Sequence, residues 1–401
     1  MHALGRLIAC TLAWAACTVL MAQDVWTKSI RDVTPMPGSD VKGRVSIRFI
    51  APGMTHAQAY LWAAPSRRNP SRWGHDVALS REEIRLDAEG RGSFSFAARR
   101  FPSGPLNVRI CTTNRAEHLR DEYELQLYNL SGKDWSVGIP DTIPAAARGM
   151  RLLLADDFDG PLSISNDGSG ARYCAHKPRF GDFSGWPFTD VDDRLSPFRQ
   201  RDSYLKIQAR KPEGTKGSTG LIASVGMDGE GLWFHAPCYL ECRLLAHSAP
   251  GTWPAFWTLN QMDRAPGDEL DIIEAYGGHG PGNPGNRGYF CTAHFWLQKD
   301  SLGRDLRGPE QRVEMTQLGG RSSWSTTFHT YGLYIGREVT VYYLDDLPVF
   351  AHPTNDYSRR LPHFFLINYA IGGNSGWPVD LERYRQSSDM YVDYVRVFQG
   401  E

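Results

Sequence analysis

The chain has 401 residues and a formal net charge of −1, with 44 Lys and Arg against 45 Asp and Glu. That length exceeds one ordinary domain, so two are expected, and a near-neutral balance without a basic stripe excludes a nucleic-acid partner. Aromatics make up 12% of residues and Gly and Pro are frequent, while helical periodicity is missing past residue 25, which points to an all-β chain with many turns.

The N-terminus reads as an export segment. Arg6 supplies the positive charge, residues 7–21 form the apolar run, and Ala22 is the small residue before cleavage, although Leu20 suits the small–x–small rule poorly. The run is too short to span a bilayer. A cleaved signal peptide over 1–22 and a secreted or periplasmic product are expected, and Trp14 disfavours a lipid anchor at Cys17. Cleavage leaves Cys111, Cys174, Cys238, Cys242 and Cys291. On a strand Cys238 and Cys242 share a face but stand about 13 Å apart, beyond disulfide reach. No second Cys/His pair completes a zinc site, so buried thiols with at most one bridge are expected.

From 25 to 137 short alternating segments recur: Gly43-Arg-Val-Ser-Ile-Arg-Phe-Ile50, Gly92-Ser-Phe-Ser-Phe96, Leu106-Asn-Val-Arg-Ile110 and Glu122-Tyr-Glu-Leu-Gln-Leu-Tyr128. Each has the pattern of a half-buried antiparallel strand. Together they predict a small immunoglobulin-like β-sandwich, with spacer and carbohydrate-binding module as equal readings of its role. Residues 138–149, rich in Pro, Ala and Gly, read as a linker. Strands resume over 150–401, and this second region is expected to carry the chemistry on its own core.

The richest stretch is Gly267-Asp-Glu-Leu-Asp-Ile-Ile-Glu-Ala-Tyr276. Strict alternation would put Glu269 and Asp271 on one face and bury Glu274 among Leu270 and Ile272 on the other, a costly arrangement for an unpaired acid. A one-residue bulge at Ile272–Ile273 restores Glu274 to the face of the other two acids. Three clustered carboxylates repel, so at least one pKa should rise, the condition for dividing work between an ionised nucleophile and a protonated acid. Backbone spacing alone leaves Glu269 and Glu274 about 13 Å apart at Cα, so their side chains must lean together over Asp271. A solvated acidic edge or a calcium loop are the bland alternatives; the flanking aromatics argue against the first and the β-branched strand against the second.

Glu269-Leu-Asp-Ile-Ile-Glu274 resembles the E-x-D-x-x-E signature of glycoside hydrolase family 16 in its bulged, laminarinase-like form. Companion motifs resemble the family in the same order: Asp156-Asp-Phe-Asp159, Tyr239-Leu-Glu-Cys-Arg243, Gly251-Thr-Trp-Pro-Ala-Phe-Trp257, Phe328-His-Thr-Tyr-Gly-Leu333, Asn368-Tyr-Ala-Ile-Gly-Gly373 and Tyr391-Val-Asp-Tyr-Val-Arg-Val397. The resemblance covers 150–401 and leaves the first region unexplained. It implies a concanavalin-like jelly roll, with Glu269 as nucleophile, Glu274 as acid/base and Asp271 orienting Glu269 by a hydrogen bond and tuning both pKa values. Asp268 stands where the family often has Gly, and by parity it faces away from Glu269.

Trp253 and Trp257 share strand parity and are candidates for stacking on sugars, with core packing of one as the alternative; Trp377 and His294 are further substrate-site candidates. Asp157 and Asp393 resemble positions that hold a structural calcium in some members. Ser203 replaces a Gly common there, so no metal or other cofactor is expected, with calcium at that pair as the alternative. The reading is a monomeric retaining endo-glycosidase acting on a β-linked polysaccharide: a β-1,3- or mixed-linkage glucan, a related β-galactan or an exopolysaccharide. A transglycosylase using the same glutamates and a catalytically silent sugar-binding sandwich are the alternatives.

Overall fold

In the computed structural model the alternating segments of the first region form two sheets; the structure describes residues 24–67, 74–133, 138–179, 181–280, 283, 288–315 and 323–401. The export segment assigned to 1–22 lies outside these residues. Arg31–Thr34, Arg44–Ile50 and Arg91–Ala97 make a three-stranded sheet, and His56–Ala63, Gly104–Asn114 and Leu119–Asn129 are the long strands of a seven-stranded one. Arg44–Ile50 follows the expected alternation, with Val45, Ile47 and Phe49 buried and Arg44, Ser46 and Arg48 exposed. Ile47, Phe49, Phe94, Val108, Ile110 and Leu125 meet in the core.

Leu119–Asn129 departs from the alternation, because every residue from Asp121 onward is buried. Its polar face meets the second region instead of water. Gln126 Nε2 donates to the Asp389 carbonyl at 3.2 Å, and Glu124 accepts from Ser248 N and Ser325 Oγ, each at 2.8 Å. Arg383 Nη1 donates to both Asp121 oxygens at 3.0 and 2.9 Å. Such groups tolerate burial because they are paired. Burial still pushes the Glu124 carboxyl up to about 8, against the two hydrogen bonds it accepts. Residues 138–149 are also packed down: Arg396 Nη1 donates to the Pro140 and Thr142 carbonyls at 3.1 and 3.0 Å.

The second region is a sandwich of two eight-stranded sheets. One carries Cys238–Ala246, His329–Ile335 and Ser387–Gln399 at its centre; the other runs through Leu221–Ala223, Phe364–Ile371, Thr252–Leu259, Gly267–Glu274, Gly288–Trp296 and Glu310–Glu314. Leu240, Cys242, Leu244, Phe256, Leu270, Ile367 and Val395 belong to the core between them. This is the jelly-roll-like, all-β architecture expected. Cys174, Cys238, Cys242 and Cys291 are buried free thiols. No helix among the described residues is long and apolar enough to cross a membrane.

Leu270 is fully buried behind the acidic residues of its strand. Leu270→Ala should therefore cost about 2–5 kcal/mol, read as a fall in the urea midpoint with little change in slope.

Candidate active site

Gly267–Glu274 lies between Thr252–Leu259 and Gly288–Trp296, antiparallel to both. Against the first, Ile273 stands opposite Phe256 and Asp271 opposite Trp257, which leaves Ile272 without a partner residue. Against the second, Asp271 stands opposite Thr292 and Glu274 opposite Phe290, so two residues of the acidic strand face only Cys291. This is the expected bulge, and it breaks the alternation once. Leu270, Ile272 and Ile273 all enter the core, while Glu269, Asp271 and Glu274 line one cleft of about 530 Å³.

Each acid has different neighbours. Trp296 Nε1 donates to Glu269 Oε2 at 3.1 Å. Trp253 Nε1 and the Tyr276 hydroxyl both donate to Glu274 Oε1, each at 3.0 Å. His294 Nε2 lies 3.3 Å from Asp271 Oδ2 and 3.9 Å from Glu269 Oε1. The polar contact shown for Asp271 is with His294, beside the hydrogen bond to Glu269 that the resemblance implies.

Burial pushes all three carboxyls up. For Asp271 the charge of Glu269 adds to burial and carries it well above the usual range. For Glu269, His294 and Lys177 oppose the rise, followed by the Trp296 hydrogen bond. For Glu274 the Tyr276 hydrogen bond opposes burial and the charge of Glu269 adds to it. Burial disfavours the His294 cation, yet Asp271, Glu269 and Glu274 outweigh it and push the imidazole up to about 9. At neutral pH the cluster thus holds an imidazolium among carboxyls that resist full ionisation, which separates a charged carboxylate from a neutral acid.

Trp253, Trp257 and His294 line the cleft beside the three acids. Trp257 is buried and donates from Nε1 to Asn368 Oδ1 at 2.8 Å, so it is both wall and core. Trp377 stands outside the lining, with its ring 6.0 Å from that of Tyr276. Asp268 faces the opposite side, accepting from Gln298 Nε2 at 2.6 Å and from Ser358 N and Oγ at 2.8 and 2.6 Å. Asp393 accepts from Arg243 and, at 2.9 Å, from Gly138 N. A guanidinium on that carboxylate competes with any calcium for the same oxygens, so Asp157 and Asp393 fit a cation poorly. Among the described residues, ligand atoms of Glu269, Asp271 and His294 lie within 4.8 Å of one another, but protonated His294 offers no lone pair there.

Sequence reasoning missed Tyr276, Trp296 and Lys177. Trp296 pairs in register with Gly267 and His294 with Glu269, so the two-residue period from His294 was the available signal. Tyr276 sits two residues beyond Glu274. Lys177, whose Nζ is 5.3 Å from the Trp257 ring, reaches the cleft from a remote segment that carries no local signal.

Residues 232–396 match the family profile described as glycosyl hydrolases family 16. The match lies within the C-terminal sandwich and includes the acidic strand. Among curated proteins, the chain is similar to the endo-1,3-1,4-beta-glycanase ExsH of Rhizobium meliloti (strain 1021), 29% identical over 160 residues, or 40% of this chain and 30% of that protein. The glucan endo-1,3-beta-glucosidase A1 of Niallia circulans is 27% identical over 304 residues, 67% of this chain and 40% of its own. The chain thus spans less than half the length of either relative. Among solved structures, a non-specific endo-beta-1,3(4)-glucanase from family GH16 superposes with a TM-score of 0.49 at 21% identity, covering 66% of this chain and 96% of that one. The endo-beta-1,3-glucanase from Pyrococcus furiosus gives 0.49 at 19% identity, covering 65% and 98%.

The His294 shift has a testable sign. Its folded value of about 9 stands above the ordinary 6.5, so the stability it contributes is fully present below about pH 6.5 and is lost as pH rises through about 9. An NMR titration should place His294 near 9, and Asp271→Asn should bring it down toward the ordinary histidine value. A wild-type imidazole titrating at its ordinary value would contradict the cluster described.

Proposed function

We propose that the protein is an exported, retaining endo-hydrolase of a β-linked polysaccharide, with Glu269 as nucleophile and Glu274 as acid/base. The observation that carries this reading is the bulged strand, which sets the two glutamates on one cleft face in distinct donor environments. In the first step a Glu269 oxygen bonds the anomeric carbon as the glycosidic C–O bond breaks, and Glu274 gives its proton to the leaving oxygen. In the second step Glu274 takes a proton from water, whose oxygen displaces Glu269 at the anomeric carbon and returns the original configuration. Asp271 and His294 act on Glu269 through charge: the imidazolium favours the carboxylate needed for attack, and Asp271 in turn keeps that imidazole protonated.

The activities of these relatives support a β-1,3- or mixed-linkage glucan as substrate, ahead of a β-galactan or other exopolysaccharide. Trp253 and Trp257 present aromatic surface suited to sugar C–H faces, and the open cleft suits internal cleavage of a long chain.

A panel of soluble polysaccharides, read by reducing ends and product size, should show internal cleavage of a β-glucan. Glu269→Gln and Glu274→Gln should each lower turnover by at least about 10²–10⁴-fold with an unchanged circular dichroism spectrum. With an activated glycoside, azide should partly rescue Glu274→Ala as a glycosyl azide of retained configuration. Near-normal turnover by either Gln variant would sink the assignment.

A further inference from the structure

One wall of the cleft has little regular structure of its own. Asn374 and Ser375 line the cleft, and Trp377 packs against Tyr276, whose hydroxyl donates to Glu274. All three lie on the segment 372–385, whose only regular pieces are the short turns Gly373–Ser375 and Glu382–Tyr384. Positive φ at Gly372, Gly373, Gly376 and Arg385 shows how irregular its path is. A segment of this kind keeps its place through the contacts it makes with its neighbours.

Its ion pairs come from the first region. The buried Asp121 takes both hydrogen bonds of Arg383 Nη1, and Arg383 Nη2 donates to the Glu122 carbonyl at 2.8 Å. The Tyr123 ring stacks on Tyr384 at 4.6 Å with 12° between planes, and its hydroxyl donates to the Arg383 carbonyl at 3.2 Å. Lys28 forms an ion pair with Asp380. The second sandwich holds the segment through its backbone: Gly372 N donates to the Gly251 carbonyl at 2.8 Å, Asn374 N to the Phe183 carbonyl at 2.9 Å and Asp380 N to the Pro250 carbonyl at 3.0 Å, while Tyr384 meets the His247 ring at 5.1 Å.

Resting on the hydrolase reading, we propose that the first sandwich is a positioning element of the cleft rather than a spacer or a separate sugar-binding module. Asp121 and Tyr123 hold 372–385 through Arg383 and Tyr384. They thereby fix Asn374 and Ser375 on the cleft wall along which a long β-glucan chain extends beyond the scissile bond, and Trp377 behind them against Tyr276. Asp121 touches no substrate; it acts through Arg383. Long chains should depend on this contact more than short ones, because only they reach the segment.

The test uses the full-length chain in four variants. Asp121→Asn removes the charge that Arg383 needs, Asp121→Glu restores it, and Lys28→Met removes the exposed lysine that pairs with the partly buried Asp380. Tyr128→Phe is the control, deleting a hydrogen bond to Asp202 elsewhere on the same interface. Two readouts are taken: amide exchange across 372–385, and kinetics on a soluble β-1,3-glucan and its trisaccharide.

Asp121→Asn should speed exchange in that segment and raise KM on the polymer by about tenfold, with kcat and trisaccharide KM within about twofold. Lys28→Met should do the same more weakly, Asp121→Glu should restore most of the loss, and Tyr128→Phe should lower only the melting temperature. Unchanged exchange in Asp121→Asn, or equal effects from Tyr128→Phe, would overturn the proposal. A wild type that cleaves no β-glucan would defeat the hydrolase reading instead, while exchange would still decide whether the first sandwich holds this segment.

Discussion

A β-strand shows alternate side chains to opposite faces, so residues five apart cannot share a face unless the count is broken once. Gly267–Glu274 breaks it at Ile272, and the cleft depends on that extra residue. Its effect is to seat Ile272 and Ile273 in the core while Glu274 returns to the side of Glu269 and Asp271. Because the strand is paired on both sides, the shift appears in both ladders at the same point. The bulge is thereby locked by its neighbours instead of being a loose end, and the glutamates inherit the rigidity of the sheet.

The second constraint is desolvation. Three carboxyls share one wall, and burial pushes all of them toward the neutral form. What separates them is the set of donors each meets: an indole and a nearby imidazolium for Glu269, an indole and a phenol for Glu274, the imidazole for Asp271. His294 is drawn into its charged form by the acids, and its charge then favours ionisation of Glu269. This mutual dependence is a coupled titration, so the cluster exchanges protons as a unit.

Much of this was legible in the residues. The alternation of Gly43-Arg-Val-Ser-Ile-Arg-Phe-Ile50 became a strand with the expected faces, and the misfit of Glu274 with strict parity located the bulge. The long strand Leu119–Asn129 was harder to read, since its acidic and amide residues suggested water and instead face a second sandwich. Alternation reports that one face differs from the other; it does not report what covers the polar one. For the same reason Pro and Gly over 138–149 resembled a free tether, although Arg396 pins its carbonyls. Lys177 and the pairing of Asp271 with His294 depend on contacts between distant segments, which local pattern does not encode.

The central claim is that Glu269 forms a covalent bond to the sugar while Glu274 moves the proton. The most direct measurement is to trap that bond with a 2-deoxy-2-fluoro β-glycoside bearing an activated leaving group, then map the labelled peptide by mass spectrometry. The account predicts one sugar per chain, attached to Glu269 and released when an acceptor sugar is added. A label on another residue, or turnover of the natural substrate with inverted configuration and no adduct, would contradict it.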